Sequence, residues 1–417
     1  MVSAHRGTHG WLLTVGLALA SCSTENPTGG GTAGQGPGGS ASSAAGSAGA
    51  APSAGSAGAP GGGANNAGGA GNTAGASGLP TAGTGGTSLG GSGTTGGTAG
   101  TTTTGGSVSM PASDLPLPPG PGGMPKPSGA VGGLKVLDWA GFKAAVSYTF
   151  DDSNSSQIAR YAELQALGVP FTFYLQTNKP ESTNAVWTQA VKDGHELGNH
   201  TRSHSMTPAA DDVDAATKFI EDNFKVKVWN LAAPYGEPKY GELAQTRFLT
   251  NRGVNNGLMG PADSTDPFQL FCFVPVENAT QKSMDDEVTA ARTAGKWRVI
   301  LVHGFTGGTD GAYNAVSFEN FSASVKASKA LGDVWLDTVV DVAAYWRGQK
   351  TISQVTPVTA GTSQTWTWSL PDHFPPGKHL RVSVTGGDLA QKGAALPWND
   401  HGFYEVALDA GSLTLSP

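Results

Sequence analysis

Cysteine is almost missing from this chain. Only Cys22 and Cys272 occur in 417 residues, which excludes a disulfide framework and any metal cluster built on thiolates. Charge is scarce as well, at 14% of residues against a usual share of about 25%. No basic run offsets the formal net charge of −7, so nucleic acid is not an expected partner. Nowhere do about 18 apolar residues follow one another, so no transmembrane helix is expected.

Glycine is what the chain has in excess, 62 residues of it. The excess is local. Residues 23–130 hold 34 glycines and only Glu25, Asp114 and Lys126 as charges. Such a stretch has too few large apolar groups to offset the entropy of ordering and is expected to be a disordered linker. At ~5–6 Å × √n it would reach roughly 50–60 Å. Its end, Pro111–Pro127, is proline-rich and stiffer. Residues 131–417 have an ordinary composition and suffice for one large domain, 131–350, with a smaller extension, 351–417.

Residues 1–22 read as a lipoprotein signal peptide. A weakly basic start precedes an apolar core, Trp11–Ala20, too short to span a bilayer. The core ends in Leu19-Ala20-Ser21-Cys22, which resembles a bacterial lipobox. Cys22 is therefore the expected lipidation site, anchoring the chain to a membrane of the bacterial cell envelope and facing the periplasm or cell surface. Cys272 lies in the apolar run Phe268–Val274 and is expected to be an inert thiol in a buried strand.

Beyond residue 140 strands and helices alternate. Lys143–Phe150, Pro170–Leu175, Glu196–Asn199, Lys227–Ala233, Arg298–Val302 and Val334–Leu336 read as strands. Ser155–Leu167, Ala185–Asp193, Ala209–Phe224, Ser283–Ala294, Ser317–Leu331 and Val339–Trp346 read as helices. This alternation implies an α/β fold with a parallel sheet, in about seven units that point to a barrel. Thr250–Glu277 fits the pattern worst. In the extension, Thr365–Leu370, Leu380–Val384, Phe403–Leu408 and Ser412–Leu415 predict a small antiparallel β unit docked on the barrel. Trp366 and Trp368 are expected to pack its core rather than bind sugar.

The chemistry-bearing residues stand at strand ends. Asp151 and Asp152 follow the first strand, His200 the third, Pro234-Tyr235-Gly236 the fourth and His303 the strand at 298–302. In a parallel barrel these ends share one rim, where catalytic groups collect. His200 and His204 are spaced to share one metal, from a helix face or a tight loop. With one carboxylate they make a three-ligand set that leaves a position open for water. The other carboxylate and His303 remain as base and acid. His195 is expected inside its strand in a structural role, and no role is expected for His373, His379 or His401.

Thr149-Phe150-Asp151-Asp152, His200-Thr-Arg-Ser-His204, Ala233-Pro234-Tyr235-Gly236 and Leu301-Val302-His303 resemble, in order and spacing, the motifs of polysaccharide deacetylases, the NodB-homology group or carbohydrate esterase family 4. The resemblance covers about residues 140–347. It implies a distorted (β/α) barrel and a metal-dependent hydrolase that removes acetyl groups from an N-acetylated polysaccharide, chitin-like, peptidoglycan-like or another N-acetylhexosamine polymer. By the resemblance Asp151 is the base and His303 the acid. Asp152, His200 and His204 hold one divalent metal, expected to be zinc. Tyr235 offers its backbone N–H to the oxyanion, and Leu301 lines the acetyl-methyl pocket. The chain is expected to be a monomer. An O-deacetylase on the same scaffold, such as an acetylxylan esterase, and a non-catalytic glycan-binding lipoprotein are the alternatives. The sequence departs from the family twice. Ala232 stands where an arginine usually orients the base, and the aspartate that orients the acidic histidine is not evident, with Asp263 and Asp266 as candidates.

Overall fold

The computed structural model describes residues 113–417. The signal peptide, the lipidation site Cys22 and most of the expected linker lie outside the described residues. The chain enters through β1 (Lys135–Val136) and then β2 (Ala144–Phe150), followed by two short helices, α1 (Ser155–Ala159) and α2 (Tyr161–Gln165). It continues as β3 (Thr172–Leu175), α3 (Val186–Lys192), β4 (Glu196–Asn199), α4 (Ala210–Phe224), β5 (Asn230–Ala232), α5 (Tyr240–Ala244) and β6 (Thr250–Arg252). Next come α6 (Gln281–Ala294), β7 (Trp297–Val302), α7 (Phe318–Ala330), β8 (Val334–Leu336) and α8 (Val339–Ser353). The remainder is β: β9 (Val358–Ala360), β10 (Ser363–Thr367), β11 (His379–Ser383), β12 (Asp388–Gln391), β13 (Ala394–Ala395), β14 (Trp398–Asn399), β15 (Phe403–Ala407) and β16 (Ser412–Ser416).

The first half forms a seven-stranded sheet in the order β6-β5-β4-β3-β2-β7, with β8 paired to the start of β2. All its pairings are parallel. The sheet curls, and the gap between β6 and β7 is bridged by the irregular segment that follows β6. Leu270 N donates to Asn251 O at 3.0 Å, and Phe273 N donates to Val299 O at 2.8 Å. The fold is thus the expected distorted (β/α) barrel. The run Phe268–Val274 makes two parallel bridges, at Leu270 and Phe273, rather than a regular strand. Cys272 is buried within it as expected, and burial pushes its thiol up to about 11.

Alternation sorts the side chains of each strand. Val146, Tyr148 and Phe150 join the helix-side core with Phe171, Phe173 and Phe321. Phe150 meets Phe321 edge-on at 5.5 Å, a geometry favoured by the ring quadrupoles. Ala145, Trp297, Val299 and Leu301 belong to the second core, which fills the barrel and runs on into the C-terminal unit. Three of the four long helices start on hydroxyl caps: Thr280, Ser317 and Thr338 each accept a backbone N–H three residues on, while α4 starts from Ala209 without one. The helix expected over 155–167 is broken at Arg160, whose backbone leaves the helical region.

A polar ladder crosses the strand starts at the opposite end of the barrel from the rim. Thr172 donates to Glu196 at 2.8 Å, Asn230 to Glu196 at 2.5 Å, and Thr250 to Asn230 at 2.5 Å. The first residues of α8 close it, Val340 N donating to Glu196 at 3.0 Å.

The C-terminal unit is two antiparallel sheets, β1-β11-β15-β14 and β13-β12-β16-β10-β9. Trp366 and Trp368 are buried between sheet and barrel core, as expected. One expectation is corrected. Residues 113–130, assigned to the linker, are held against this unit by specific contacts: Met124 N donates to Asp400 O at 2.7 Å and Gly129 N to Thr385 O at 3.0 Å. Arginine and backbone pairing supply what the segment lacks in apolar mass. Among the described residues no helix is long and apolar enough to cross a membrane.

Candidate active site

Four parallel strands deliver their C-terminal ends to one cavity of about 600 Å3. Asp152, His200, His204, Tyr235 and His303 line it, together with Val254, Val274, Tyr313 and Asn314. Asp151 sits beside them, buried, with its backbone N–H donating to Val302 O at 3.3 Å.

The chain must turn sharply to present these groups. Five non-glycine residues here have left-handed backbone: Asp152, Ser153, Thr201, His204 and Tyr235, with φ between 54° and 73°. Such conformations cost about 1–3 kcal/mol each and persist only where surroundings fix them. The fixing groups are visible. Ser153 Oγ accepts Gln176 N–H at 3.1 Å. Asn199 Oδ1 accepts Thr201 N–H at 2.6 Å, and Thr201 Oγ1 accepts His204 N–H at 3.0 Å. The two histidines therefore come from a tight loop and not from a helix face. Tyr235 is followed by Gly236, also left-handed at φ 68°, where an added Cβ would fall 2.3 Å from Val254.

His200 donates from Nδ1 to Ala232 O at 2.9 Å, which turns Nε2 towards the carboxylates. Nε2 of His200 lies 3.3 Å from Asp152 Oδ1, and Nε2 of His204 lies 3.4 Å from the same oxygen. Ligand atoms of Asp152, His200 and His204 all fall within 4.8 Å of one another. Asp152 Oδ1 is buried and has no hydrogen-bond partner. An orphaned carboxylate oxygen facing two imidazole nitrogens is a donor set that fits a divalent cation.

The electrostatics follow from burial and these contacts. Burial opposes the charge on Asp152, but the close approach of His200, with His303 and His204 beyond it, outweighs burial and holds the carboxyl well below the usual range. Burial lowers His204 to about 4, with His200 adding to the effect. Burial also lowers His303, against the pull of Asp151 and Asp152. On His200 burial is overcome by Asp151 and Asp152, and the group is raised.

Asp151 is bound by Arg252. The two side chains form an ion pair through Asp151 Oδ2, both buried. Asp151 Oδ1 has no protein partner. Arg252 stands on β6 directly beside Ala232 on β5, as its register partner. Its Nη1 donates to Gly253 O at 3.1 Å, and its guanidinium lies 5.4 Å from the Tyr174 ring centre. The group missing at 232 is thus supplied from the next strand. The signal was present in the sequence as a lone arginine in the segment that fitted the strand–helix pattern worst.

The backbone of His303 is tied to the β2 turn. Asn154 and Gln157 side-chain amides both donate to His303 O at 2.7 Å. Neither Asp263 nor Asp266 reaches the imidazole. Asp263 caps its own loop through Gly260 and Thr265 backbone N–H groups, and Asp266 does the same for Phe268. The ring of His303 packs edge-on against Tyr313, centres 5.3 Å apart. Leu301 is on the barrel-interior side of β7 but buried beneath the cavity rather than lining it. Val254 and Val274 are the apolar side chains that do line it. His195 is structural as expected, accepting Phe171 N–H at 3.0 Å and meeting Gln165 Oε1 at 2.8 Å.

Residues 141–250 match the polysaccharide deacetylase family. The matched stretch runs from the start of the barrel to β6 and includes Asp151, Asp152, His200, His204 and Tyr235. A curated gellan lyase from Bacillus sp is 30% identical over 145 residues, 32% of this chain, and the chain spans about 6% of that protein's length. Among solved structures, a polysaccharide deacetylase from Bacillus cereus is 14% identical, with 47% of this chain and 91% of that one covered at a TM-score of 0.33. The catalytic domain of a peptidoglycan N-acetylglucosamine deacetylase from Eubacterium rectale is 15% identical, with 46% and 88% covered at a TM-score of 0.33.

Proposed function

We propose that this chain is a metal-dependent hydrolase that removes acetyl groups from an N-acetylated polysaccharide, a polymer of N-acetylhexosamine of the chitin or peptidoglycan type. One observation carries the reading: the cation-fitting set Asp152, His200 and His204 lines the same cavity as His303, beside a carboxylate, Asp151, with one oxygen held by Arg252 and the other free.

Asp152, His200 and His204 would hold the cation, zinc by the preference of a two-histidine, one-carboxylate set. When bound, it supplies Lewis-acid polarisation and eases loss of a proton from water. Asp151 accepts that proton on Oδ1, its geometry fixed by Arg252 at Oδ2. The backbone N–H of Tyr235 donates to the acetyl oxygen as it gains charge. The water oxygen bonds the acetyl carbon, and His303 delivers a proton to the nitrogen as the C–N bond breaks, so that acetate and a free amine result. Val254 and Val274 give the acetyl methyl an apolar wall, the part assigned to Leu301 from the sequence.

We propose further that Cys22 anchors the protein by a lipid in the cell envelope, with residues 23–112 as tether. The lipobox-like run and the composition of the segment support this.

Acetate release from N-acetylglucosamine oligomers and from acetylated xylan, with and without chelator, tests the reading. Release from the amide substrate that chelator abolishes is expected. Asp151→Asn and His303→Ala are each expected to cost about 10²–10⁴ in rate with metal still bound. His200→Ala is expected to lose the metal, and a His200→Ala protein with full metal content and full rate overturns the assignment.

A further inference from the structure

The imidazole of His303 has no carboxylate to orient it. Neither Asp263 nor Asp266 reaches it, each being used by the backbone of its own loop. Among the described residues the ion pairs of the site involve His200 and His204 but not His303. His303 is also the first residue past the β2–β7 ladder, beyond the bond from Asp151 N to Val302 O at 3.3 Å. A chain leaving a sheet keeps no fixed peptide plane unless another group bonds to it.

That group is the start of α1. The run Asn154-Ser155-Ser156-Gln157 directly follows the turn that carries the two aspartates. Asn154 Nδ2 and Gln157 Nε2 each donate to His303 O at 2.7 Å, so both lone pairs of that carbonyl are taken. Gln157 Nε2 donates also to Asp151 O at 2.5 Å, bridging the backbones of base and acid. Ser156 Oγ accepts Phe305 N–H at 3.1 Å. The approach is close: a Cβ on Gly304 would fall 2.6 Å from Ser156 Oγ. The Asn154 amide is held in turn, its Oδ1 accepting from Lys179 Nζ at 2.6 Å. Asn154 and Gln157 are both buried, and Gln157 Oε1 has no partner. A side chain kept only to fill this space would be apolar and would avoid the cost of that orphaned oxygen. The N–H donors of Gln157 are what the site uses.

We propose that Asn154 and Gln157 are positioning residues for the acid: they fix the His303 peptide plane, and through it the direction of the imidazole, in place of a carboxylate partner on the ring. The inference rests on the deacetylase reading and deepens it. Its consequence is chemical. An amine leaves the acetyl carbon only as it takes a proton from His303, whereas the aryl oxide of para-nitrophenyl acetate leaves as the C–O bond breaks without one. Both substrates need Asp151 to take the proton of the attacking water. Loosening His303 therefore harms the amide selectively, and loosening the whole site harms both.

The test uses the full chain loaded with zinc, an N-acetylglucosamine hexamer and para-nitrophenyl acetate. Asn154→Asp removes one donor while keeping the shape of the side chain and an acceptor for Lys179. It should lower kcat on the hexamer about 10–100-fold with KM within about twofold, and lower para-nitrophenyl acetate turnover by less than about threefold. Gln157→Met also releases Asp151 O, so it should slow both substrates, the hexamer by the larger factor. In a His303→Ala background Asn154→Asp should change hexamer turnover by less than about threefold. Equal losses on the two substrates in Asn154→Asp, or the same loss with and without His303, overturn the proposal. The NMR signal of the His303 ring Cε1–H group, identified by its absence in His303→Ala, gives a reading that needs no turnover. One sharp signal in the parent should broaden or move in Asn154→Asp and in Gln157→Met, and a signal unchanged in both overturns the proposal. A parent that releases no acetate from any glycan sinks the hydrolase reading, and the ring signal still decides whether Asn154 and Gln157 hold His303.

Discussion

Arg252 and Ala232 face each other across β5 and β6, and that pairing makes a direct test of how Asp151 is held. Taking both charges out of water is expensive, and removing one partner of a buried pair typically costs about 3–5 kcal/mol. Arg252→Ala should therefore lower the melting temperature and, by freeing the Asp151 carboxylate to rotate, lower kcat by about 10²-fold or more. Metal content should be unchanged, because Arg252 pairs with Asp151 and Gly253 O and forms no hydrogen bond or ion pair with Asp152, His200 or His204. The informative variant is the double one. Ala232→Arg combined with Arg252→Ala moves the guanidinium one strand over, and recovery of kcat measured against Arg252→Ala alone is the expected result. No recovery would mean that Arg252 serves packing rather than Asp151. At this scale the sequence is half legible. Asp151, Asp152, His200, His204 and His303 are readable because each directly follows a strand or lies a turn away, and their spacing is local. Arg252, Val254, Val274 and Tyr313 are not, because their relation to the site exists only after β6 and the loop behind β7 are placed in space.

The ladder at the strand starts concerns elements rather than single residues, since Thr172, Glu196, Asn230 and Thr250 come from four successive strands. Glu196 is its titrating member. Burial pushes its carboxyl up to about 7, despite the hydrogen bonds from Val340, Asn230 and Thr172. The folded state thus binds a proton more tightly than the unfolded chain, whose carboxyl titrates near 4.5. The associated stability is complete below the unfolded value and is lost as pH rises from about 4.5 through about 7. His195 has the opposite sign. Burial depresses it to about 4, so its contribution grows as pH rises from about 4 to 6.5. The Glu196 effect is isolated by comparing slopes: the loss of denaturant stability between pH 4.5 and 7.5 should be smaller in Glu196→Gln by an amount on the order of 2–3 kcal/mol. Equal slopes in the two proteins would place the pH dependence elsewhere, Asp337, half-buried near Asp341, being another carboxyl raised to about 7. Element type was well marked in the sequence, because strands such as Glu196–Asn199 and helices such as Ala210–Phe224 carry their own periodicity and stop signals. β6, with three residues, and α5, with five, are too short to show a period, and the bridges at Leu270 and Phe273 are purely tertiary.

On the scale of the whole molecule, one core passes from the barrel into the C-terminal sheets. Trp297, Val299 and Leu301 of β7, Trp346 of α8, and Leu380, Val406, Leu413 and Leu415 of the sheets belong to the same packed cluster. Arg381 fastens the parts together. Its buried guanidinium donates to Leu115 O at 3.0 Å, Pro116 O at 2.7 Å and Ala140 O at 3.0 Å, and pairs with Glu405 at 3.1 Å while lying 4.4 Å from the Phe403 ring centre. Three backbone carbonyls from the entering segment and the barrel depend on one side chain of β11. Leaving a buried polar group without a partner costs about 1–3 kcal/mol, so Arg381→Ala should cost several times the effect of a surface substitution. Arg381→Lys should recover little of it, because a single ammonium cannot reproduce a planar fork with contacts on several sides. The composition change near residue 351 suggests an appendage, but a shared core makes the barrel and sheets one cooperative unit. Calorimetry of residues 113–417 should show a single transition, lowered in Arg381→Ala and not split. Two transitions, with the barrel's unchanged by Arg381→Ala, would show that the C-terminal sheets fold independently. Truncation after Ser353 should then leave acetyl-hydrolase activity intact, whereas a shared core requires that truncation to remove both the folded barrel and the activity.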